Sequence, residues 1–294
     1  MDATTKRAFF QLHFSIFLWG FTAILGKLIS VPAVVLVWWR MPITCLSLLL
    51  LPSIYSELRQ LSRRTAWQLV GIGGIVLAHW LTFYGAIKLS NASVTLVCLA
   101  TMSLFSAFIE PIIFRRAVKL YEVGLGLLVI PGMILIARHL DFSMLNGFLM
   151  GIASSFLGAL FGTMNKKMVE KAEPLSITFV ELGGGWLMLC LIIPIFFADL
   201  MTLNFVPSSL DFFYIIVLSL FCTSLPYVLS LKALRHISAF GSMLAINMEP
   251  VYGITMAWFL LGENKELTPD FYFGVLIILL SVFTYPLLKK QFEK

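Results

Sequence analysis

The stretch Ala86-Ile87-Lys88-Leu89-Ser90-Asn91-Ala92 is matched, 147 positions later, by Ala233-Leu234-Arg235-His236-Ile237-Ser238-Ala239. In each copy an apolar run ends with a basic residue, a short polar turn follows, and a small residue opens the next apolar run. The offset is half of the 294-residue chain. We therefore predict two copies of one unit, residues 1–140 and residues 141–294.

Other segments of the two halves match more weakly. The segment WGFTAILGK at residues 19–27 is similar to GALFGTMNK at residues 158–166. Prolines also bracket one apolar run in each half, namely Pro32 and Pro52 in the first and Pro174 and Pro194 in the second. Each match is short, and together they favour an internal duplication.

The composition decides the class of protein. Hydrophobic residues make up 60% of the chain and charged residues 12%, and the mean hydropathy is +0.95. Soluble domains are about 45–50% apolar and about 25% charged. A water-soluble globule could not hide this much apolar surface, and a disordered chain would be far more polar. The sequence therefore predicts an all-α polytopic membrane protein.

Ten apolar runs are long enough to cross a bilayer, which takes about 20 residues of helix. The loops between them are too short to hold a soluble domain, and the first run lacks the small-residue cleavage site of a signal peptide. The ten predicted spans are 8–28, 32–54, 66–88, 91–114, 122–138, 144–165, 174–198, 210–231, 237–261 and 270–288.

Lysine and arginine predict the orientation of these spans, because both concentrate in cytoplasmic loops. With the N-terminus inside, sixteen of the 21 basic residues fall on the cytoplasmic side. Both termini are then cytoplasmic, and the short loops fit a bacterial inner membrane. Five spans in a unit is an odd number, so we predict two inverted five-helix repeats. Secondary transporters use such repeats and bind substrate between them.

Several other classes of function find little support in the sequence. The net charge of +6 is scattered between apolar runs, so we expect no nucleic-acid partner. The four cysteines lie in separate apolar runs, which favours neither a disulfide nor a metal site, and no cofactor is predicted. The chain has no phosphate-binding G-x-x-x-x-G-K-[ST] loop, no H-E-x-x-H and no G-x-S-x-G motif.

The chain resembles the drug/metabolite transporter superfamily, and within it the EamA-type ten-span exporters. The resemblance rests on the repeat, on Trp19-Gly20 with Lys27, on Glu249-Pro250 and on Leu261-Gly262-Glu263. The sequence departs from the family at Ser103, where a proline is common, and at Arg115-Arg116, where a Gly-Glu pair would recur. The resemblance implies export of small metabolites, often amino acids or related compounds, by alternating access.

Glu249 is the first candidate site residue, since it lies halfway along the ninth span beside Asn247 and Pro250. Proline frees a backbone carbonyl within a helix. A carboxyl, an amide and a free carbonyl at mid-membrane are suited to bind substrate or to exchange a proton for it. The alternative is a structural glutamate bonded to a neighbouring helix.

His79 is the second candidate, in the middle of the third span. Trp80, Phe83 and Tyr84 follow it and supply an aromatic wall. Its counterpart in the repeat is Pro226, followed by Tyr227, so we expect the two halves to present different chemistry to an asymmetric substrate. The alternative is an ordinary core histidine.

Arg40 and Glu181 are the gate candidates, because they occupy nearly equivalent positions in the second and seventh spans, toward opposite membrane faces. Arg40, which follows Trp39, is also suited to hold a carboxylate with its two-pronged guanidinium group. The alternatives are snorkelling of Arg40 to the interface and a structural role for Glu181. For Glu110 we expect a local ion pair with Arg115.

The leading hypothesis is a secondary exporter of small metabolites, with proton coupling as one option. A nucleotide-sugar or sugar-phosphate exchanger is a second transporter hypothesis, but it would need several basic residues in the cavity. An intramembrane enzyme and a receptor or scaffold are the alternatives of another class. The expected partners are a small-molecule substrate and the lipid bilayer. A homodimer stays open, and the small residues of the sixth span are interpreted as a helix-packing face.

Overall fold

The computed structural model describes residues 3–137, 142–196, 205–249, 251–253, 256, 259 and 268–292, which are helical and contain no strand. The helices of the first half are α1 (Ala3–Leu28), α2 (Ala33–Leu49), α3 (Ser53–Gln60), α4 (Arg63–Leu89), α5 (Ala92–Leu99), α6 (Met102–Phe114) and α7 (Leu120–Ala137). Those of the second half are α8 (Leu145–Met168), α9 (Pro174–Phe196), α10 (Ser209–Ser219), α11 (Leu225–Leu234), α12 (Ala239–Ile246) and α13 (Pro269–Phe292). A π-helical turn, Leu220–Ser224, joins α10 to α11.

Within the described ranges, seven helical segments are long and apolar enough to cross a bilayer, or eight if α2 and α3 form one bent span. An integral membrane protein is supported, whereas the predicted number of ten spans is not confirmed. The apolar part of α7, Leu120–Gly132, is shorter than a full span. The predicted ninth span, 237–261, extends outside the described residues.

The predicted end of the second span is wrong. The helix ends at Leu49, and the chain bends by 102° before α3 begins at Ser53. Pro52 explains the bend, because a proline disfavours helical geometry in the residue before it.

Helices α5 and α12 repeat each other residue for residue at the offset of 147. Each has eight residues and begins at the alanine that closes the matched sequence stretch. Asn91 caps α5 by accepting the backbone N–H of Val94 at 2.8 Å. Ser238, its counterpart, caps α12 by accepting the N–H of Gly241 at 3.1 Å. These caps satisfy backbone donors that a helix start leaves unpaired.

The matched basic residues also have a common structural task. Lys88 donates from Nζ to the carbonyl of Ile29, just beyond the end of α1. Arg235 donates from Nε to the carbonyl of Val169, just beyond the end of α8, at 3.2 Å. A cation at a helix C-terminus satisfies carbonyls that have no partner within the helix and complements the helix dipole.

The two halves interlock and share one core. Helix α4 packs most extensively on α8 and α9, α1 packs on α11, and α7 packs on α13. Glycines permit the closest approach: a Cβ on Gly73 of α4 would lie 2.1 Å from the carbonyl oxygen of Glu181 on α9. The surfaces that would face lipid carry exposed side chains such as Leu46, Trp67 and Ile112.

The small residues of α8 form a packing face within the chain. A Cβ on Gly147 would meet the backbone of Leu89 at 2.8 Å, and one on Gly151 would meet the Cys98 side chain. Farther along the helix, Gly158 and Gly162 belong to the wall of an internal cavity. The face interpreted as helix packing therefore also contributes to a cavity wall, where the side chains of Met102 and Met243 approach Gly158 and Gly162 closely.

Candidate functional site

A cavity of about 100 Å³ lies between the two halves. One water needs about 10–15 Å³ on the same measure, so the space can hold a small molecule. Six aromatic residues contribute to its wall: Trp19, Trp80, Phe83, Tyr84, Phe161 and Tyr227. The polar groups in the wall include Arg40, His79, Asn165, Thr223 and Glu249. Both halves therefore contribute to one amphipathic site.

Arg40 of α2 lines this cavity and is only 3% exposed. Its Nη1 donates to the hydroxyl of Tyr84, and its Nε donates to Thr223 Oγ1 at 2.7 Å. The guanidinium carbon lies 3.9 Å from the ring centre of Trp80, a cation–π distance. No carboxylate pairs with it in the described part of the chain. The side chain does not snorkel to a membrane surface.

The π-helical turn brings the partners of Arg40 into reach. Its wider winding places Thr223 toward α2. The Thr223 hydroxyl also donates to the carbonyl of Leu218, in the preceding helix α10, at 2.8 Å. Along the same seam, Ser47 and Ser224 share a hydrogen bond of 2.7 Å between their hydroxyl oxygens. Single π turns in helices often occur at functional sites. Here the turn builds a polar seam beside the cavity.

His79 of α4 lies in the cavity wall with its tautomer fixed by a backbone contact. Its Nδ1 lies 2.8 Å from the carbonyl of Ser154 on α8. A carbonyl only accepts, so Nδ1 carries a proton, and Nε2 of the neutral ring is an acceptor. The ring lies 5.2 Å from that of Phe161, centre to centre. His79 is thus a polar contact set in the aromatic wall.

Glu249 also lines the cavity and is 4% exposed. Among the described residues its carboxyl has no hydrogen-bond partner. A buried carboxyl without donors is costly in either protonation state unless a ligand or water supplies them. Pro250 and the segment Leu261-Gly262-Glu263 lie outside the described residues.

Glu181 of α9 lies behind the cavity wall and is fully buried. The Tyr227 hydroxyl donates to its Oε2 at 2.7 Å, and the Asn165 Nδ2 donates to the same oxygen at 3.1 Å. Both donors line the cavity, whereas Glu181 does not. Asn165 was not predicted as a site residue. The signal available was an amide near the end of an otherwise apolar and small-residue span.

Two predicted site residues lie away from the cavity. Asn247 donates from Nδ2 to the hydroxyl of Ser103 at 3.2 Å and so joins the end of α12 to α6. Trp39 donates from Nε1 to the carbonyl of Phe205 at 3.0 Å, in an aromatic cluster with Trp38. Trp39 is one position from Arg40 and Asn247 is two positions from Glu249. Each position along a helix is rotated by about 100°, so close neighbours in sequence point in different directions.

The ion pair expected between Glu110 and Arg115 is formed with a different residue. Arg116 lies 3.5 Å from Glu110 and 2.6 Å from Glu122. Arg115 has a positive φ of 52° and ends α6 as a left-handed cap. The chain turns there and brings the next residue, Arg116, to the two carboxylates.

A helical membrane protein with charged groups buried in a cavity between two matched halves has the architecture of a transporter. The chain belongs to the EamA-like transporter family, whose model matches residues 7–138 and again residues 145–285. The duplication and the resemblance to the drug/metabolite transporter superfamily are thereby confirmed.

The fold is also that of a solved structure titled "Crystal structure of protein". It is 12% identical to this chain, with a TM-score of 0.71, and the alignment covers 99% of each chain. At this identity the likeness concerns the fold alone. No curated protein matches the chain at a significant level.

Proposed function

We propose that this protein is a secondary active transporter that exports small metabolites, amino acids or related compounds, by alternating access. A proton gradient is the proposed energy source. The two five-helix units are proposed to be inverted repeats that exchange roles as the cavity opens to one side and then to the other. The site is the cavity lined by Arg40, His79 and Glu249.

The observation that carries this proposal is the buried guanidinium group of Arg40, which faces the cavity with neutral partners only. Burial of an unpaired charge is costly, so such a charge needs a compensating group. A substrate carboxylate would supply that group and accept charge-assisted hydrogen bonds. We therefore propose that Arg40 holds the carboxylate of the substrate.

The rest of the wall supports an amphipathic substrate. The rings of Trp80, Phe83 and Phe161 would contact an apolar side chain. His79 and Glu249 would supply the remaining polar contacts, since neither is fully satisfied within the described protein. Amino acids and related acids combine these features.

A nucleotide-sugar or sugar-phosphate exchanger has less support. Its substrates carry phosphate charges that would need several cations, and Arg40 is the only lysine or arginine among the described residues that line the cavity. Lys88 donates to a backbone carbonyl just beyond the end of α1.

The cellular setting completes the proposal. We place the protein in a bacterial inner membrane with both termini in the cytoplasm, as the distribution of lysine and arginine predicts. The proposed partners are the small-molecule substrate and the surrounding lipid.

Metabolite profiling of culture medium tests the proposed function. Cells would express the wild type, Arg40→Met, Glu249→Gln or an empty vector, with the proteins at matched membrane abundance. We expect at least one amino acid or related carboxylate to be enriched outside wild-type cells, and the enrichment to be lost in Arg40→Met. Enrichment of phosphorylated sugars, or unchanged export by Arg40→Met, would contradict the proposal.

A further inference from the structure

The carboxyl group of Glu181 is bonded on one side only. Its Oε2 receives both the Tyr227 O–H and the Asn165 N–H. Its Oε1 and the side-chain oxygen of Asn165 are buried and have no partner among the described residues. Two unpartnered acceptor oxygens in one fully buried cluster are unusual, since buried polar atoms are almost always hydrogen-bonded. They point to a missing donor.

No cation supplies that donor in the described part of the chain. Helix α11 presents Tyr227, a titratable group, to Glu181. Helix α8 presents the neutral amide of Asn165. Helix α4 presents the backbone of Gly73. Helix α2 presents Cys45, whose thiol lies 3.7 Å from the carbonyl of Phe179, two residues away. An ionised Glu181 would thus be a buried charge without a counter-ion.

We propose that Glu181 is the proton-binding group of this transporter, and that Tyr227 and Asn165 connect it to the cavity. The proposal rests on the transport function proposed above, and it places the coupling proton in the second half of the chain. Arg40 in the cavity wall and an ionised Glu181 behind the wall suit a zwitterion, whose ammonium group would favour the ionised acid. The empty site returns across the membrane only with Glu181 protonated, because an ionised carboxyl would then be buried without a counter-ion. A permanently neutral side chain at this position would still bind substrate but would remove the need for the proton.

Tyr227 is placed to carry the proton. When the cavity opens to the acidic side, its hydroxyl passes a proton to Glu181 Oε2 and takes one from a hydronium ion, which leaves as water. When the cavity opens to the other side, both transfers run in reverse and water takes the proton. One proton therefore crosses the membrane for each return of the empty site. The substrate crosses in the opposite sense.

The test uses purified full-length protein in liposomes and a mixture of radiolabelled amino acids as the probe. Exchange of label at equal pH on both sides needs no net proton movement. Accumulation of label in vesicles that are one pH unit more acidic inside requires net proton movement out of the vesicles. Exchange of one proton per substrate sustains an accumulation of about tenfold. Wild type, Glu181→Gln, Tyr227→Phe and Glu249→Gln are compared in both assays.

We expect Glu181→Gln, which mimics the protonated acid in shape, to keep exchange and to lose accumulation, so that the ratio falls to about one. Tyr227→Phe keeps the ring and removes the hydroxyl, and should slow the pH-driven step. Glu249→Gln should weaken exchange and accumulation together. Accumulation by Glu181→Gln equal to that of the wild type would overturn the proposal. Accumulation driven by sodium instead of protons would also overturn it.

A substrate-free measurement separates this proposal from the proposed function. Infrared difference spectra between acidic and alkaline pH report the C=O stretch of a protonated carboxyl group. We expect one such band to be missing in Glu181→Gln and present in Glu249→Gln. If no amino acid exchanges even with the wild type, the transport hypothesis fails while the band still tests the proton site. An unchanged band in Glu181→Gln would overturn the site itself.

Discussion

The two halves of the chain place a basic and an acidic side chain at nearly equivalent positions and surround them differently. Arg40 of the first half lies in the cavity wall, over the ring of Trp80. Glu181 of the second half lies behind the wall, bonded to Tyr227, which is the repeat counterpart of Trp80. A duplicated scaffold has thus placed one buried cation at the cavity and one buried acid behind its wall.

The difference teaches how a symmetric frame can hold asymmetric chemistry. In the first half an aromatic ring stacks on the guanidinium group, and the arginine lines the cavity. In the second half a phenol hydroxyl donates to the carboxyl group and separates it from the cavity. The first arrangement suits the proposed binding of a substrate carboxylate, and the second suits the proposed exchange of a proton.

The largest expected effect concerns Arg40. Arg40→Met should weaken amino-acid exchange in liposomes by about 10- to 100-fold, because a hydrogen bond to a charged group is worth about 1.5–3 kcal/mol. Replacement of a buried charge by an apolar side chain is often neutral or stabilising for the fold. The melting temperature in detergent should therefore not fall.

Arg40→Lys is the matched control. It keeps the charge but loses the planar fork that spans Tyr84 and Thr223. We expect an intermediate loss of exchange. Full activity of Arg40→Lys would show that charge alone is needed, and a large drop in melting temperature for Arg40→Met would assign Arg40 a structural role.

Removal of the Glu181 side chain should reduce stability, in contrast to Arg40→Met, which should reduce transport without reducing stability. Glu181→Ala removes the acceptor of two buried donors, Tyr227 O–H and Asn165 N–H, and each stranded donor costs about 1–3 kcal/mol. Glu181→Gln keeps an acceptor oxygen and should lose little. Thermal unfolding of the two variants measures the difference. Equal stability of both would mean that water from the cavity satisfies the two donors in Glu181→Ala, and would contradict a structural cost of stranding them.

The close contact between the halves at Glu181 can be loosened through a glycine. A Cβ at Gly73 would lie 2.1 Å from the Glu181 carbonyl oxygen and 2.9 Å from its carbonyl carbon. Both are backbone atoms, so α4 and α9 must separate. Gly73→Ala should reduce the free energy of unfolding by about 1–3 kcal/mol.

Gly71 provides the control on the same helix, since nothing lies within 4 Å of its added Cβ. Gly71→Ala should be neutral or stabilise by up to about 1 kcal/mol, because alanine favours helix over glycine. Similar unfolding temperatures for Gly71→Ala and Gly73→Ala would mean that the halves are not in tight contact at this point.

The sequence predicted the parts of this comparison that depend on local pattern. The offset of 147 located the first residues of α5 and α12 correctly, because a polar cap followed by a small residue is a local helix-start signal. Membrane character followed from composition. Arg40, His79, Tyr84, Tyr227 and Glu249 do line one cavity.

The rest depended on three-dimensional context. Asn247 and Trp39 point away from the cavity, because the face of a helix that meets the cavity is set by its packing partners. The break between α5 and α6 and the π turn at Leu220–Ser224 fall within apolar runs, where hydropathy is uniform. Asn165 gained its importance only when α8 and α9 were brought together.

The smallest expected effect compares the two repeated helix caps. Asn91→Ala should destabilise the protein by about 1 kcal/mol, as removal of an N-cap usually does. Ser238→Ala should cost less, because Glu110 also accepts a backbone N–H at the start of α12, that of Phe240, at 2.6 Å. If the two acceptors share this task, the loss in Ser238→Ala combined with Glu110→Gln should exceed the sum of the single losses. Thermal unfolding of the four variants gives that coupling. Additive losses would mean that Glu110 stabilises the protein through its ion pair with Arg116 and not through the start of α12. Each matched helix would then depend on a single N-cap side chain, Asn91 in the first half and Ser238 in the second.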